Sequence, residues 1–323
     1  MHCIFLTRSG SKEIAHNSLY TNNASSYKTP IIPYEHRTIF AVQLPAMKPL
    51  LIFISALLIL VSSCKKENGN GPETPPPGTD MPLLKNIVYQ SLPSPYYAFE
   101  YDAGRKVNKA AFASGAFTYT LRYQASQLIE MKSELASTKI STTYQYDNAG
   151  RIAFVKISSE DGSTEFKRGF LSYDNQNRLK EIEWEASAGA GAGFVLQRTL
   201  SFTYHTDGNV AERRDHRHFI EGKQPEALYI ERYEQYDNKL NVDGFALLHE
   251  SSEHLVLFPG IQLQRNNPAK IIRTGDGLNY EITYTYTHNT YKQPLQRTGS
   301  MLFTSGPDAG KTFQLSTSYT YYE

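Results

Sequence analysis

From residue 96 onward one short unit recurs along this chain: an aromatic pair, an Asp or Asn turn, then a basic and apolar restart. Its best copy is Tyr144-Gln145-Tyr146-Asp147-Asn148-Ala149-Gly150-Arg151-Ile152, and Phe99-Glu100-Tyr101-Asp102-Ala103-Gly104-Arg105 is nearly as good. Tyr173-Asp174-Asn175-Gln176-Asn177-Arg178-Leu179 puts Asn in place of Gly, and the copy from Phe202 to Val210 is shifted by one. Tyr236-Asp237-Asn238 and Tyr284-Thr285-Tyr286 are degenerate copies. The unit reads as a hairpin. Tyr at alternate positions ends a strand on one face, Asp accepts turn hydrogen bonds, Gly or Asn takes the left-handed position, and Arg opens the returning strand.

Between the turns, Phe117, Tyr119, Leu121 and Tyr123 share one face, with Thr118, Thr120, Arg122 and Gln124 opposite. Phe194, Leu196, Leu200, Phe202 and Tyr204 repeat the pattern against Gln197, Thr199, Ser201 and Thr203. So do Tyr280, Ile282, Tyr284 and Tyr286, and at the end Phe313, Leu315, Tyr319 and Tyr321. A period of two with aromatic and β-branched enrichment marks half-buried antiparallel strands. From Tyr146 to Tyr236 the Tyr-Asp-like turns stand 27 to 32 residues apart, which leaves room for two strands per unit. Residues 83–323 are therefore expected to form an all-β fold, an antiparallel meander of about 12–16 strands. So wide a twisted sheet should curl into a barrel, half-barrel or shell with its aromatic face inside. Leu240 to Asn267 breaks the rhythm with the apolar runs Gly244–His249 and Leu255–Phe258, and is expected to cover an opening or an edge.

Ahead of this domain, Lys48 precedes a run from Leu50 to Val61 that is apolar except for Ser55, followed by Ser62, Ser63 and Cys64. Those twelve residues would span about 18 Å as a helix, too short for a hydrocarbon core of about 30 Å. Residues 47–63 read as a signal peptide, and residues 1–46 as an over-extended start with Met47 the initiator. The alternatives are a true cytoplasmic extension and an ordinary signal peptide with Cys64 incidental. Residues 64–82 read as the modified cysteine and a tether, stiffened at Pro75 to Pro77. Removing Arg8, Lys12, Lys28, Arg37 and Lys48 with Glu13 and Glu35 turns the net charge of +1 into about −2. No basic stripe remains to capture nucleic acid.

The residues before Cys64 resemble the processing site of a bacterial lipoprotein. That resemblance implies a lipidated Cys64 thiol, an acylated α-amine and a membrane anchor of two or three acyl chains, palmitate among them. It also leaves no thiol for a disulfide, a nucleophile or a metal ligand, since Cys3 is the other cysteine and lies ahead of the cleavage site. The Tyr-Asp-x-x-Gly-Arg units over residues 99–210 resemble the YD repeats of Rhs-type proteins, which build hollow β-shells. A second resemblance covers most of the mature chain. The lipobox, the Pro-rich tether, the YD-like hairpins, Tyr236 to Asn241, Asn266-Asn267-Pro268 and the closing Tyr-x-Tyr strand are similar to lipoprotein domains of unknown function with a porin-like β-sheet fold. Val242 stands where those families usually carry Pro. The resemblance implies an extracytoplasmic antiparallel fold and transfers no catalytic residue.

Candidate chemistry is sparse. His216 and His218 would share a face of a strand and could offer two metal ligands, but no third is evident by spacing, and a solvated strand explains them as well. His249 and His254 flank Glu250 and Glu253 without the spacing of a zinc protease, and read as a surface segment. Glu181, Glu183 and Glu185 could pair for glycoside hydrolysis, or could form the wet face of an amphipathic strand. Ala188 to Gly193 reads as a hairpin tip, not a phosphate loop. The tyrosines either stabilise the sheet or stack on a ligand; Trp184, Tyr119, Tyr204 and Tyr284 are the candidates for stacking.

The expectation is a non-enzymatic, lipid-anchored protein of the cell envelope, in the outer membrane, with no cofactor. Its curved sheet would serve as a binding or assembly surface for a glycan or an envelope protein. The alternative is a periplasmic carrier or sensor of a lipid-like ligand in a half-barrel. A membrane-spanning barrel and a hydrolase stand behind both.

Overall fold

A run of hairpins whose apolar faces all point one way buries its two end strands by bringing them together, and this sheet does so. The computed structural model describes residues 81–133, 139–189, 192–249 and 254–323. They belong to one of the two units into which the chain divides; the other, Ile4–Asn68, lies outside the described residues. So do the leading segment, the signal-peptide run, Cys64 and the tether as far as residue 80.

The first eight strands are β1 Leu84–Tyr89, β2 Tyr97–Tyr101, β3 Val107–Phe112, β4 Phe117–Gln124, β5 Gln127–Ser133, β6 Ile140–Tyr146, β7 Ile152–Ser159 and β8 Glu165–Tyr173. Then follow β9 Leu179–Ser187, β10 Phe194–Tyr204, β11 Val210–Arg217, β12 Ala227–Tyr236 and a short 3-10 turn, η1, at Gly244–Leu248. The chain ends with β13 Pro268–Gly275, β14 Tyr280–His288, β15 Pro294–Phe303 and β16 Thr312–Tyr321. Each strand pairs antiparallel with its chain neighbours, and β1 pairs with β16, Ile87 opposite Tyr319. The result is a closed barrel of sixteen strands, at the upper end of the expected count.

The repeat marks one rim of this barrel. Tyr101, Tyr146, Tyr173, Tyr204, Tyr236 and Tyr321 each end an even-numbered strand, and Tyr286 lies two residues before the end of β14. Each donates its phenol to a carbonyl at the start of the preceding strand: Leu84, Leu128, Ile152, Leu179, Val210, Pro268 and Pro294, at 2.6–2.9 Å. Burial pushes the Tyr173 phenol up to about 12, which keeps it a donor. Asp147 Oδ1 accepts the amides of Ala149 and Arg151 at 2.9 Å, and Asp174 Oδ1 those of Gln176 and Arg178 at 2.9 Å. The arginines return to their aspartates at 2.6 and 2.7 Å. Each also lies over the tyrosine of the next unit, Arg151 on Tyr173 and Arg178 on Tyr204, 4.4 Å from the ring centre. One unit is thus tied to the next.

Gly150, Asn177 and Gly208 occupy the left-handed position, with φ of 76°, 60° and 88°. The first copy departs from this reading. There the glycine comes one residue early, so Arg105, not Gly104, takes φ 61°. Lys106 fills the usual arginine position, with its amide on Asp102 at 2.9 Å and its ammonium 5.4 Å from the Tyr123 ring centre. Arg105→Gly is expected to stabilise the fold by about 0.5 kcal/mol, the relief of left-handed strain exceeding glycine's entropic cost. Urea midpoints of the two proteins check it.

Outside, the wall is polar. Thr283, Thr285 and Thr287 of β14 face Ser300, Thr298 and Gln296 of β15, which face Gln314, Ser316 and Ser318 of β16. On the far side Thr120 stands opposite Lys132, and Arg122 pairs with Glu130 at 3.0 Å. Inside, Tyr97, Phe112, Met131, Ile182 and Trp184 are almost wholly buried. A lipid-embedded barrel presents its apolar band outward instead. Among the described residues no helix is long and apolar enough to cross a membrane.

The described residues of segment 237–267 cover no edge, because the closed sheet has none; they enter the lumen. Asn209 Oδ1 holds it at the Tyr-Asp rim, accepting the amides of Arg265 and Asn266 at 2.8 and 3.0 Å. Deeper in, Leu255, Val256, Leu257 and Phe258 are buried. The Leu255 amide donates to the Tyr119 hydroxyl at 3.3 Å, and the Phe258 ring meets Trp184 at 6.4 Å. Asp243, just before η1, fastens the segment to the wall: Arg297 Nη1 lies at 3.0 Å and the Tyr319 hydroxyl donates at 2.8 Å.

Candidate functional site

The residues singled out for ligand stacking are used by the protein itself. Trp184 is fully buried, with the Lys167 ammonium 5.4 Å from its ring centre on one side and Phe258 on another. Opposite it stands Gly169, where a Cβ would come within 2.8 Å of the indole. Tyr119 is buried and stacks on Phe112 at 6.3 Å. Tyr204 is one of the rim tyrosines. Tyr284 faces the lumen beneath Arg297, 4.9 Å from its ring centre, and opposite Gly299. None of the four presents a ring on the outer wall.

The histidines divide. His216 and His218 do share the outer face, their ring centres 4.1 Å apart; His216 Nε2 is 2.9 Å from Glu226, and His218 Nε2 2.9 Å from the Thr199 hydroxyl. Burial, then the neighbouring His216, pulls the His218 imidazole below its ordinary value. Among the described residues no group of three His, Cys, Asp or Glu is placed to hold a metal ion. His249 is not on a surface segment. Its Nδ1 is 2.5 Å from the Tyr97 hydroxyl and its ring packs on Phe112 at 4.9 Å, because the segment that carries it lies in the lumen. Glu250 and Glu253 lie outside the described residues.

The sequence reading missed one surface, and a single bulge is the reason. β10 slips by one residue against β9 between Leu196 and Arg198. Alternation across that slip inverts, so Phe194 and Leu196 face outward while Leu200, Phe202 and Tyr204 face the lumen as expected. Beside them, Phe154 of β7 and Phe170 of β8 stand opposite each other with ring centres 5.2 Å apart. The Arg168 guanidinium bridges the two groups, 5.6 Å from the Phe170 ring centre and 4.1 Å from that of Phe194, and is held by Glu185 at 2.6 Å. Phe166, Phe170 and Leu196 are three of the ten exposed large apolar side chains among the described residues, on β8 and β10. Glu183, directly opposite both Phe170 and Thr199, begins a polar border that continues through His218, His216 and Glu226. The acidic stripe Glu181, Glu183 and Glu185 is thus the border and the brace of an apolar platform. A dry aromatic and arginine centre with a charged rim is the composition of a docking surface.

A second polar group lies inside, across β10 to β13. Arg198 grips Asp215 with two bonds of 2.6 and 2.8 Å; Arg213 reaches Glu231 at 2.8 Å, and the Tyr233 hydroxyl donates to the same carboxylate at 2.5 Å. Burial pushes the Asp215 carboxyl up, but the bonds from Arg198 and the charges of Arg198, Arg213 and Arg217 hold it below its ordinary value. A carboxyl lowered by folding stabilises the fold fully above its unfolded value of about 3.9, and that contribution is lost as pH falls through the folded one. The urea midpoint is therefore expected to drop on going from about pH 5 to pH 2, and to drop less in Asp215→Asn.

No family model matches the chain, and no curated protein matches it. Among solved structures the chain is similar to a porin-like protein from Bacteroides uniformis, with 13% identity over 70% of this chain and 89% of that one, and a TM-score of 0.48. It is similar also to a porin-like protein from Bacteroides vulgatus, with 12% identity, 75% of this chain and 99% of that one, and a TM-score of 0.48. A structure of the Photorhabdus luminescens Tc holotoxin pore matches at 14% identity over 65% of this chain and 13% of that one, with a TM-score of 0.29.

Proposed function

We propose that this chain is a non-enzymatic protein of the cell envelope, anchored in the outer membrane through a lipidated Cys64, whose barrel wall docks a partner protein. The observation that carries this reading is the platform of Phe154, Phe170, Arg168, Phe194 and Leu196, gathered on one part of the outer wall. Exposed aromatic rings gathered on one face cost solubility and gain a use only when covered. The tryptophan and tyrosines that would have favoured a glycan face inward, and this moves the weight from sugar to protein. A lipid-like ligand in a half-barrel would meet a closed wall and a lumen occupied by residues 237–267.

The test joins two readouts on intact cells. Metabolic palmitate labelling is expected to mark the protein and to fail in Cys64→Ser. Affinity capture is expected to recover one partner with the natural chain, and to lose it in Phe170→Asp and Phe194→Asp while Thr285→Asp, on the opposite wall, retains it. Equal capture by all of these chains would refute the docking platform; unlabelled natural protein would refute the anchor.

A further inference from the structure

The lumen is unevenly charged at the rim opposite the Tyr-Asp turns. Lys167, Arg198, Arg213, Arg217 and Arg273 all sit at inward positions of β8, β10, β11 and β13, with Glu231 of β12 between Arg213 and Arg273. Among the described residues the carboxylates facing the same quarter are Asp215 and Glu231, already engaged by Arg198 and Arg213. Arg198 and Arg217 stand directly opposite each other on neighbouring strands, a pairing of like charges that a sheet normally avoids.

Two of these cations are only weakly neutralised, Arg217 by a 4.0 Å ion pair with Asp215 and Arg273 by Glu231, opposite it in register. Arg273 makes no ion pair among the described residues; its guanidinium lies 4.6 Å from the Tyr229 ring centre and 5.7 Å from that of Tyr280, and its buried Nε has no hydrogen-bond partner. Arg217 lies 5.0 Å from the same Tyr229 ring centre and comes no nearer than 4.0 Å to Asp215, with its side chain 46% exposed at the mouth. A guanidinium whose nearest carboxylate is shared or distant gains from an added anion. Arginine's planar fork matches carboxylate, sulfate and phosphate alike.

We propose that this rim is a binding site for the oxyanion group of a small ligand, with Arg217 and Arg273 around Tyr229 as its contacts. Water reaches Arg217, so the ion enters from the mouth and need not displace residues 237–267. The site is independent of the outer platform, and either one stands if the other fails.

The experiment is thermal unfolding of the full chain against rising sodium sulfate, sodium phosphate, sodium acetate and sodium octanoate, each compared with sodium chloride at matched ionic strength. Saturable stabilisation is expected from at least one oxyanion, with apparent affinity about tenfold weaker in Arg217→Gln and in Arg273→Gln, the loss of a charge-assisted hydrogen bond. A preference for octanoate over acetate would assign an acid with an apolar body; equal affinity would assign a free ion. Arg214→Gln, exposed on the outer face, is the control and is expected to bind like the natural chain. If Arg273→Gln does not fold, Arg217→Gln at the solvent-reached mouth decides alone. No saturable response beyond chloride, or the same response in all variants, overturns the proposal.

Discussion

Asp243→Ala is expected to cost about 3–5 kcal/mol of stability, because it leaves the buried Arg297 without its carboxylate. The aspartate is 7% exposed and satisfies three partners at once: Arg297 at 3.0 Å, the Tyr319 hydroxyl at 2.8 Å and the Asn241 side-chain amide at 3.2 Å. It is also the point where the lumen segment is fastened to β15 and β16. The loss should therefore exceed that of an exposed ion pair, which is worth about 0–1 kcal/mol. Adding Arg297→Met should recover a large part of it, since the double variant removes both charges together. A urea-unfolding cycle over the four proteins measures the coupling; additivity of the two single losses would show that Asp243 does not hold Arg297.

Trp184→Ala is expected to cost a similar amount, about 3–5 kcal/mol, through the cavity it leaves between the β8–β9 wall and Phe258. The neighbouring glycine gives this prediction its second arm. Gly169 has no side chain because the indole covers it from the next strand, so Gly169→Ala alone should cost about 1–3 kcal/mol by overpacking. Combined with Trp184→Phe, whose smaller ring makes room, the same Gly169→Ala should cost less than it does beside tryptophan. Urea midpoints and the indole fluorescence of the Trp184-containing proteins read both effects.

The fold was legible where one local rule repeated often enough to be counted. Tyr-Asp turns and period-two strands dictated an antiparallel meander that had to curl; whether it closed was open until the pairing of β1 with β16. The tyrosine of each unit proved more useful than a strand end: its phenol holds the start of the preceding strand, a bond that only spatial neighbours reveal. Three features escaped because their cause is not periodic. A bulge at Leu196 inverts which of two even-numbered residues faces out, and nothing in Leu196-Gln197-Arg198 announces it. Arg105 takes the left-handed turn position although a glycine sits beside it. The apolar runs after Asn241 carry no strand rhythm because they fill a lumen, where their neighbours come from β4, β5 and β9 rather than from one flat face.

The four aromatic residues considered for ligand stacking sit at inward or rim positions, where Trp184 meets Phe258, Tyr119 stacks on Phe112, Tyr204 bonds Leu179 and Tyr284 lies under Arg297. The outer apolar patch draws on phenylalanines and on an arginine whose ion pair with Glu185 spans two strands, a juxtaposition made by register.

We propose that this barrel, apolar side inward and filled by its own chain, is carried outside the bilayer. The most direct measurement is the solution behaviour of a chain beginning at Lys65, prepared without detergent and followed by far-ultraviolet circular dichroism, cooperative urea unfolding and incorporation into phospholipid vesicles. A soluble, cooperatively folded β-protein that does not partition into the vesicles is the predicted result. A chain that folds only in micelles, or that inserts and conducts ions across a bilayer, would contradict it.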